Sequence, residues 1–204
     1  MDRMPKHINP HKGEKVIVDS LEKNYVNGKM DYGSFYNEIN YVSPGVHIKQ
    51  YLPTCLKYIK PEEKWLDVGC GSGNKLKSVI KNKIEVHGMD IVNKSIRKAQ
   101  SNGIKCIKNS AADPYPYTAK YFDIVTCTDV LEHLTETDAR KAVKQIYRVL
   151  KDNRYALLAP ALSPDRTGYL HLTVRNKQWW IKLFEDEGFR FIEYIKPKGI
   201  LLKK

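Results

Sequence analysis

Residues 65–73 read Trp65-Leu66-Asp67-Val68-Gly69-Cys70-Gly71-Ser72-Gly73, an apolar strand segment running into three glycines at alternate positions. A helical pattern follows. Glycine has no side chain and accepts positive φ, so a strand–glycine turn–helix lets a ligand press against the backbone. The first amides of the following helix have no partner inside it and face the same place. Spacing narrows the choice of ligand. The dinucleotide fingerprint G-x-G-x-x-G needs its last glycine where this chain carries Asn74. Asp67 sets a carboxylate just ahead of the loop, which would repel a pyrophosphate but suits a ligand with cationic groups. A nicotinamide dehydrogenase therefore fits the fold pattern but not the glycines.

Outward from this loop the chain alternates between strand and helix. Apolar residues at Tyr51, Leu52, Cys55, Leu56 and Ile59 predict a helix ending before Pro61. Strand 64–69 leads to a helix over 73–82, strand 84–90 to a helix over 93–102, and strand 104–109 to a loop broken by Pro114 and Pro116. Strand 122–128, a helix over 135–150, strand 154–159 and a helix over 176–187 follow. The stretches FRFIEYI and ILL then form a hairpin about Pro197–Gly199, expected as an antiparallel edge. Strands alternating with helices imply a parallel sheet covered on both faces, with ligands outside the carboxyl ends of its strands. Asp90, at the end of the second of these strands, follows the glycine loop at the interval where a carboxylate accepts the hydroxyls of a ribose. The bland alternative is a solvated aspartate capping the helix near Asn93.

Together the glycine loop and Asp90 resemble motif I and the strand-two acid of the class I S-adenosylmethionine (SAM)-dependent methyltransferases. The stretch YFDIVTCTDVLEHL, 121–134, resembles the strand-four motif of the same family, and the likeness runs over about residues 48–195. It implies an α/β, doubly wound, mostly parallel seven-stranded sheet with an antiparallel last strand, and SAM as cofactor. Residue by residue it implies that Asp67, Gly69, Cys70, Gly71 and Gly73 surround the cofactor and that Asp90 and Ile91 lie at its ribose. Ala111, Ala112 and Asp113 would lie at the adenine, and the backbone at Cys127–Thr128 would receive the amino group. The adenine loop departs from the family pattern, since Ser110 stands where many members carry aspartate. Asp113 can equally shape the turn before Pro114.

Asp129, Glu132 and His133 fall at i, i+3 and i+4, one face of a helical turn if it starts at the strand tip. His171 lies on the loop after the fifth main strand, also at the carboxyl edge. Two carboxylates and two histidines can hold a divalent cation, an arrangement similar to metal-assisted O-methyltransferases. The string also resembles family members that use no metal, where the acids cap a helix and the histidine sits near the cofactor. That metal-free reading is preferred. His171 is then the candidate base for an alcohol acceptor, with His133 second; a solvated loop histidine is the alternative for His171. The pair Trp179-Trp180 resembles the acceptor side of small-molecule and glycan methyltransferases, with core packing the alternative for one of them.

Composition bounds the rest. No window approaches the apolar run of a membrane span, and the N-terminal residues lack the apolar stretch of a signal peptide. Cys55, Cys70, Cys106 and Cys127 show no C-x-x-C spacing and read as buried free thiols in a reducing, cytoplasmic setting. A net charge of +12 allows a nucleic-acid partner, but no dense basic run with interleaved aromatics appears, and solvated lysine faces are the preferred reading. Residues 1–43 are expected as an arm or lid, with Tyr25, Tyr32, Phe35, Tyr36 and Tyr41 packing on a domain over 44–204. The expected activity is methyl transfer from SAM to an oxygen, less readily a nitrogen, of a small molecule or sugar unit. A methyltransferase for RNA ribose, with or without a metal, and a non-catalytic SAM-binding protein are the alternatives.

Overall fold

The computed structural model describes residues 23–26, 29–38, 43, 45, 47–165 and 170–204. The first half of the expected arm, Tyr41 and the side chain of Tyr25 lie outside the described residues, as does the stretch 166–169 of the loop before His171. The described part of the arm is a short ladder of β1 (Tyr25–Val26) and β2 (Lys29–Met30) followed by α1 (Tyr32–Glu38). Met30 and Phe35 are buried there, with Tyr32, Tyr36 and Leu170 packed around them.

The main sheet has seven strands. The chain enters it through a 3₁₀ turn, His47–Tyr51, and the short α2 (Leu52–Cys55). Then come β3 (Lys64–Val68), α3 (Lys77–Ile80), β4 (Glu85–Asp90), α4 (Asn93–Ser101) and β5 (Lys105–Lys108). The second half holds β6 (Phe122–Thr128), α5 (Glu136–Val149), β7 (Leu150–Ala159), α6 (Lys177–Asp186), β8 (Arg190–Ile195) and β9 (Gly199–Lys203). The order across the sheet is β5-β4-β3-β6-β7-β9-β8, with β9 antiparallel to both neighbours and β3 to β7 parallel. This is the doubly wound α/β sheet with an antiparallel last strand that the resemblance implies.

Successive residues of a strand face opposite sides, and β3 shows what that does here. Leu66 and Val68 pack toward α5 and α6, against Val143, Ile146, Trp180 and Phe184. Trp65 points the other way, against Ile48, Tyr51, Leu76, Val79 and Ile96. Each such side chain contributes about 1.5–3 kcal/mol on burial. Two helices begin at the side-chain caps the sequence offers. Thr135 accepts from the Asp138 amide at 3.2 Å, and Asn176 accepts from the Trp179 amide at 2.9 Å. Such caps are each worth about 1 kcal/mol.

Three elements differ from the sequence reading. The helix expected over 73–82 is a single turn, because Gly71 and Gly73 hold φ values of 55° and 61° and keep the chain left-handed to its threshold. β7 starts at Leu150, which pairs with Phe122 before the register shifts. The terminal hairpin does not simply add an outer edge: its second strand slots between β7 and β8. Burial explains the order. Gly199 to Leu202 are all buried, as a strand covered on both faces requires, whereas β8 keeps Arg190 and Glu193 in solvent.

Candidate active site

The tips of β3, β4 and β6 form one end of the site. The amides of Gly69 and Cys70 both donate to the Met89 carbonyl, at 2.8 and 3.0 Å, so the glycine loop turns over the end of β4. Asp90 locks it from the other side. One carboxylate oxygen accepts from the Gly71 amide at 2.9 Å and the other from the Val92 amide at 2.8 Å. Asp90 is therefore not a solvated cap. It is buried, ties two loops together and keeps lone pairs for a further donor. Burial raises its pKa, opposed by the amides of Val92, Gly71 and Ile91.

Asp67 stands at the end of a short relay. The Trp65 indole donates to the Thr126 hydroxyl at 2.8 Å, and that hydroxyl donates to Asp67 at 2.6 Å. Burial pushes the Asp67 carboxyl up to about 7, with Thr126 opposing and the Asp90 charge adding. A cationic ligand beside it would restore the negative form.

These residues open into a cavity of about 1100 Å³. Of the positions expected at the cofactor, Asp67, Gly69, Cys70, Asp90 and Ile91 line it, and so do Ala111, Ala112, Asp113 and Thr128. Gly71, Gly73 and Cys127 stand behind the wall. A Cβ on Gly71 would come within 2.7 Å of the Ser43 carbonyl, and one on Gly73 would run into Ile104. Their glycine character serves close packing of the loop rather than an opening to a ligand. Ser43 and Gly45, which in the sequence mark only a boundary, pack on the loop from above: the Ser72 amide donates to Ser43 at 2.8 Å.

The same cavity is also lined by Tyr32, Tyr36, His133 and His171. The chain leaves β6 through Asp129 at φ 55°, so no helical turn starts at the strand tip. A 3₁₀ turn, Leu131–His133, comes instead. Asp129 stays outside the group of donor atoms formed by Glu132, His133 and His171, and its carboxylate is engaged by Lys198 and, at 3.4 Å, by His47. The four-residue metal group, the alternative to the preferred metal-free reading, is thereby reduced to three among the described residues. One donor atom each from Glu132, His133 and His171 lies within 4.8 Å of the others.

Backbone carbonyls fix both rings. His133 Nδ1 lies 2.9 Å from the Leu170 carbonyl and His171 Nδ1 lies 2.7 Å from the Ser163 carbonyl. A carbonyl only accepts, so each Nδ1 carries the hydrogen and each Nε2 keeps a free lone pair. Burial, and then the neighbouring His171, push His133 down to about 4, so it is neutral at neutral pH. Glu132 is fully buried. The amides of Glu132 itself and Ala161 lean toward its carboxylate, yet neither oxygen has a partner of hydrogen-bond geometry among the described residues. Burial, then the Asp129 charge, pushes it up to about 7.

The loop that brings His171 is stapled in place. Asp165 accepts from the amides of Leu170 and His171, both at 2.9 Å, and the Thr173 amide donates to the Glu132 carbonyl at 2.9 Å. Tyr32 reaches over from α1 to donate to the same Leu170 carbonyl at 2.5 Å, its ring edge-on to His133 at 5.3 Å. Trp180 is core, packed on Phe184, and neither tryptophan of the pair lines the cavity. Lys198 and the Leu170 carbonyl escaped the sequence reading. The first lies in the expected turn about Pro197–Gly199, where nothing in the sequence ties it to Asp129, and a backbone acceptor leaves no trace in side-chain identity.

Residues 45–198 match the family model of a methyltransferase domain. The chain belongs to this family. A ubiquinone biosynthesis O-methyltransferase from Nitrosomonas europaea is 23% identical over 145 residues, covering 68% of this chain and 60% of the relative. One from Shewanella sp. (strain ANA-3) is 31% identical over the same shares of the two chains. The chain thus spans about 60% of the length of these curated relatives. Among solved structures, the PH0226 protein from Pyrococcus horikoshii superposes with a TM-score of 0.62 at 22% identity, covering 76% of this methyltransferase-family chain and 87% of that one. The fold is that of the class I methyltransferases. Among the described residues no helix is long and apolar enough to cross a membrane.

Proposed function

We propose that the protein transfers a methyl group from SAM to an oxygen of a small molecule or sugar unit. The observation that carries this is the single cavity that runs from Asp90 to the free Nε2 atoms of His133 and His171. SAM supplies, when bound, an already activated methyl on a sulfonium. The protein's own work is alignment, exclusion of water and management of the acceptor proton. Asp90 would accept the ribose hydroxyls, and the backbone of 110–113 would hold the adenine. The Asp67 carboxylate and the carbonyl at Cys127–Thr128 would face the amino group. His133, pushed down to about 4, is a weak proton acceptor and a good neutral lone-pair donor. The base role therefore goes to His171. The O-methyltransferase names of the relatives support an oxygen acceptor.

A specific feature favours a metal-assisted form of the same reaction. The buried Glu132 carboxylate has no hydrogen-bond partner among the described residues and stands with two imidazoles whose other nitrogens are held by carbonyls, the usual outer support of a metal ligand. A divalent cation there would supply polarisation of the acceptor hydroxyl. Calorimetric titration with SAM, its demethylated product and NAD, each with and without magnesium, tests both readings. Micromolar binding of the first two and none of NAD is expected. A magnesium-dependent change that disappears in Glu132→Gln selects the metal-assisted form; absence of SAM binding by the folded protein overturns the proposal.

A further inference from the structure

Cys70 and Cys106 sit far apart in sequence, yet their sulfurs lie 3.5 Å apart in the interior. Cys70 is inside the glycine loop, between Gly69 and Gly71. Cys106 is on β5, paired with Gly88 of β4, and Gly88 in turn pairs with Asp67 of β3. The thiols meet in the space that Gly88 leaves: a Cβ on that glycine would lie 2.6 Å from the Cys70 sulfur. Both cysteines are free and buried, at 1% and 4% exposure, but Cys70 also borders the cavity, whereas Cys106 does not.

We propose that Cys70 and Cys106 are an oxidative modification site, forming a reversible disulfide that deforms the cofactor loop. The oxidant is a peroxide small enough to enter the cavity. The Cys70 sulfur attacks one peroxide oxygen, the O–O bond breaks, one water leaves and Cys70 becomes a sulfenic acid. The Cys106 sulfur then displaces the hydroxyl as a second water. Two thiols have been oxidised and one peroxide reduced, with an S–S bond in place of two S–H bonds.

The geometry couples this bond to the loop. A disulfide needs its sulfurs about 2.05 Å apart, so the pair must close by about 1.5 Å. Cys106 is set in a strand ladder, while Cys70 is in a loop, so Cys70 makes the movement. Its amide bonds Met89, and the next amide, of Gly71, bonds Asp90. Drawing Cys70 toward β5 pulls on both anchors at the proposed ribose site. The adjoining Cys106 thiol, and then burial, raise the Cys70 pKa, which keeps the reduced pair inert to brief exposure. Bound cofactor covers the cavity side of Cys70 and slows the reaction.

The effect on binding rests on the SAM reading above, whereas bridge formation does not. The test oxidises the full chain with hydrogen peroxide, digests it with trypsin without reductant and titrates the undigested protein with SAM. The expected product is WLDVGCGSGNK (65–75) linked to CIK (106–108), formed more slowly with SAM present and absent in Cys106→Ser. SAM affinity should fall about tenfold or more, a shift of at least ~1.4 kcal/mol. Dithiothreitol should restore it, and Cys106→Ser should keep its affinity through the same treatment. Failure to find the linked peptide overturns the site. A bridged protein that binds SAM like the reduced one overturns the deformation. If the reduced protein does not bind SAM, the cofactor reading and the effect on binding fall together, while the linked peptide still decides whether the bridge forms.

Discussion

At the proposed nucleoside end of the cavity, Gly71 and Asp90 stand 19 positions apart in the chain and are joined by one hydrogen bond. At the proposed acceptor end, Tyr32 and Leu170 are 138 positions apart, and His133 and Leu170 are 37 apart. The first end is made of backbone: amides of Gly69, Cys70 and Gly71 close on a neighbouring strand tip. The second is made of side chains delivered by α1, the 3₁₀ turn Leu131–His133 and the loop of His171, aligned by carbonyls of residues that carry no chemistry themselves. On the proposed reading, binding of the donor and choice of the acceptor then rest on two different kinds of structure. Damage to one end should leave the other largely intact.

The largest expected effect tests that separation directly. His171→Ala should lower methyl transfer to a hydroxyl acceptor by about 10²–10⁴-fold, the usual contribution of a general base, while calorimetry finds SAM affinity unchanged. A comparable loss of affinity would mean that the two ends are one.

Next comes the pH dependence of the buried acid. Folded Glu132 keeps its proton up to about 7, whereas the unfolded chain releases it near the ordinary glutamate value of 4.5. Between these values the unfolded state binds fewer protons, so the contribution of Glu132 is present at low pH and is lost as pH rises. Glu132→Gln should remove that slope. Urea unfolding at pH 5 and pH 8 should show the variant gaining on the wild type by at most about 3 kcal/mol.

Gly71→Ala attacks the backbone end instead. The positive φ and the nearby Ser43 carbonyl should together cost roughly 2 kcal/mol, read as a SAM affinity lowered about 30-fold. The smallest effect belongs to Tyr32→Phe, which deletes one hydrogen bond between α1 and Leu170. A loss of about 1 kcal/mol in docking should appear as faster protease cleavage near α1 with SAM affinity unaltered.

Legibility in the sequence followed the same division. The sheet, the glycine loop and Asp90 were readable because each depends on neighbours in the chain or on strand–helix alternation. His133 and His171 were readable as residues but not as a pair with matched tautomers, since Leu170 and Ser163 act through backbone carbonyls. Asp129 was grouped with Glu132 on helical spacing. The spacing argument fails because φ turns positive at that residue, and Lys198, which takes up its carboxylate, arrives from the last hairpin. The place of β9 could have been read from Ile200-Leu201-Leu202, a continuous apolar run, beside the broken pattern of β8.

That placement has a consequence for synthesis. β8 is made before β9, yet nothing in the sheet pairs with β8 until β9 lies beside β7. Until then β7 has a bare edge along Ala156, Leu157 and Leu158, residues wholly buried in the finished fold. A ribosome stalled between the two strands would hold out a sticky apolar template for other chains. The turn that introduces β9 also carries Lys198 to Asp129. The strand that seals the edge of β7 is thus tied, through the same turn, to a charge contact at the cavity wall.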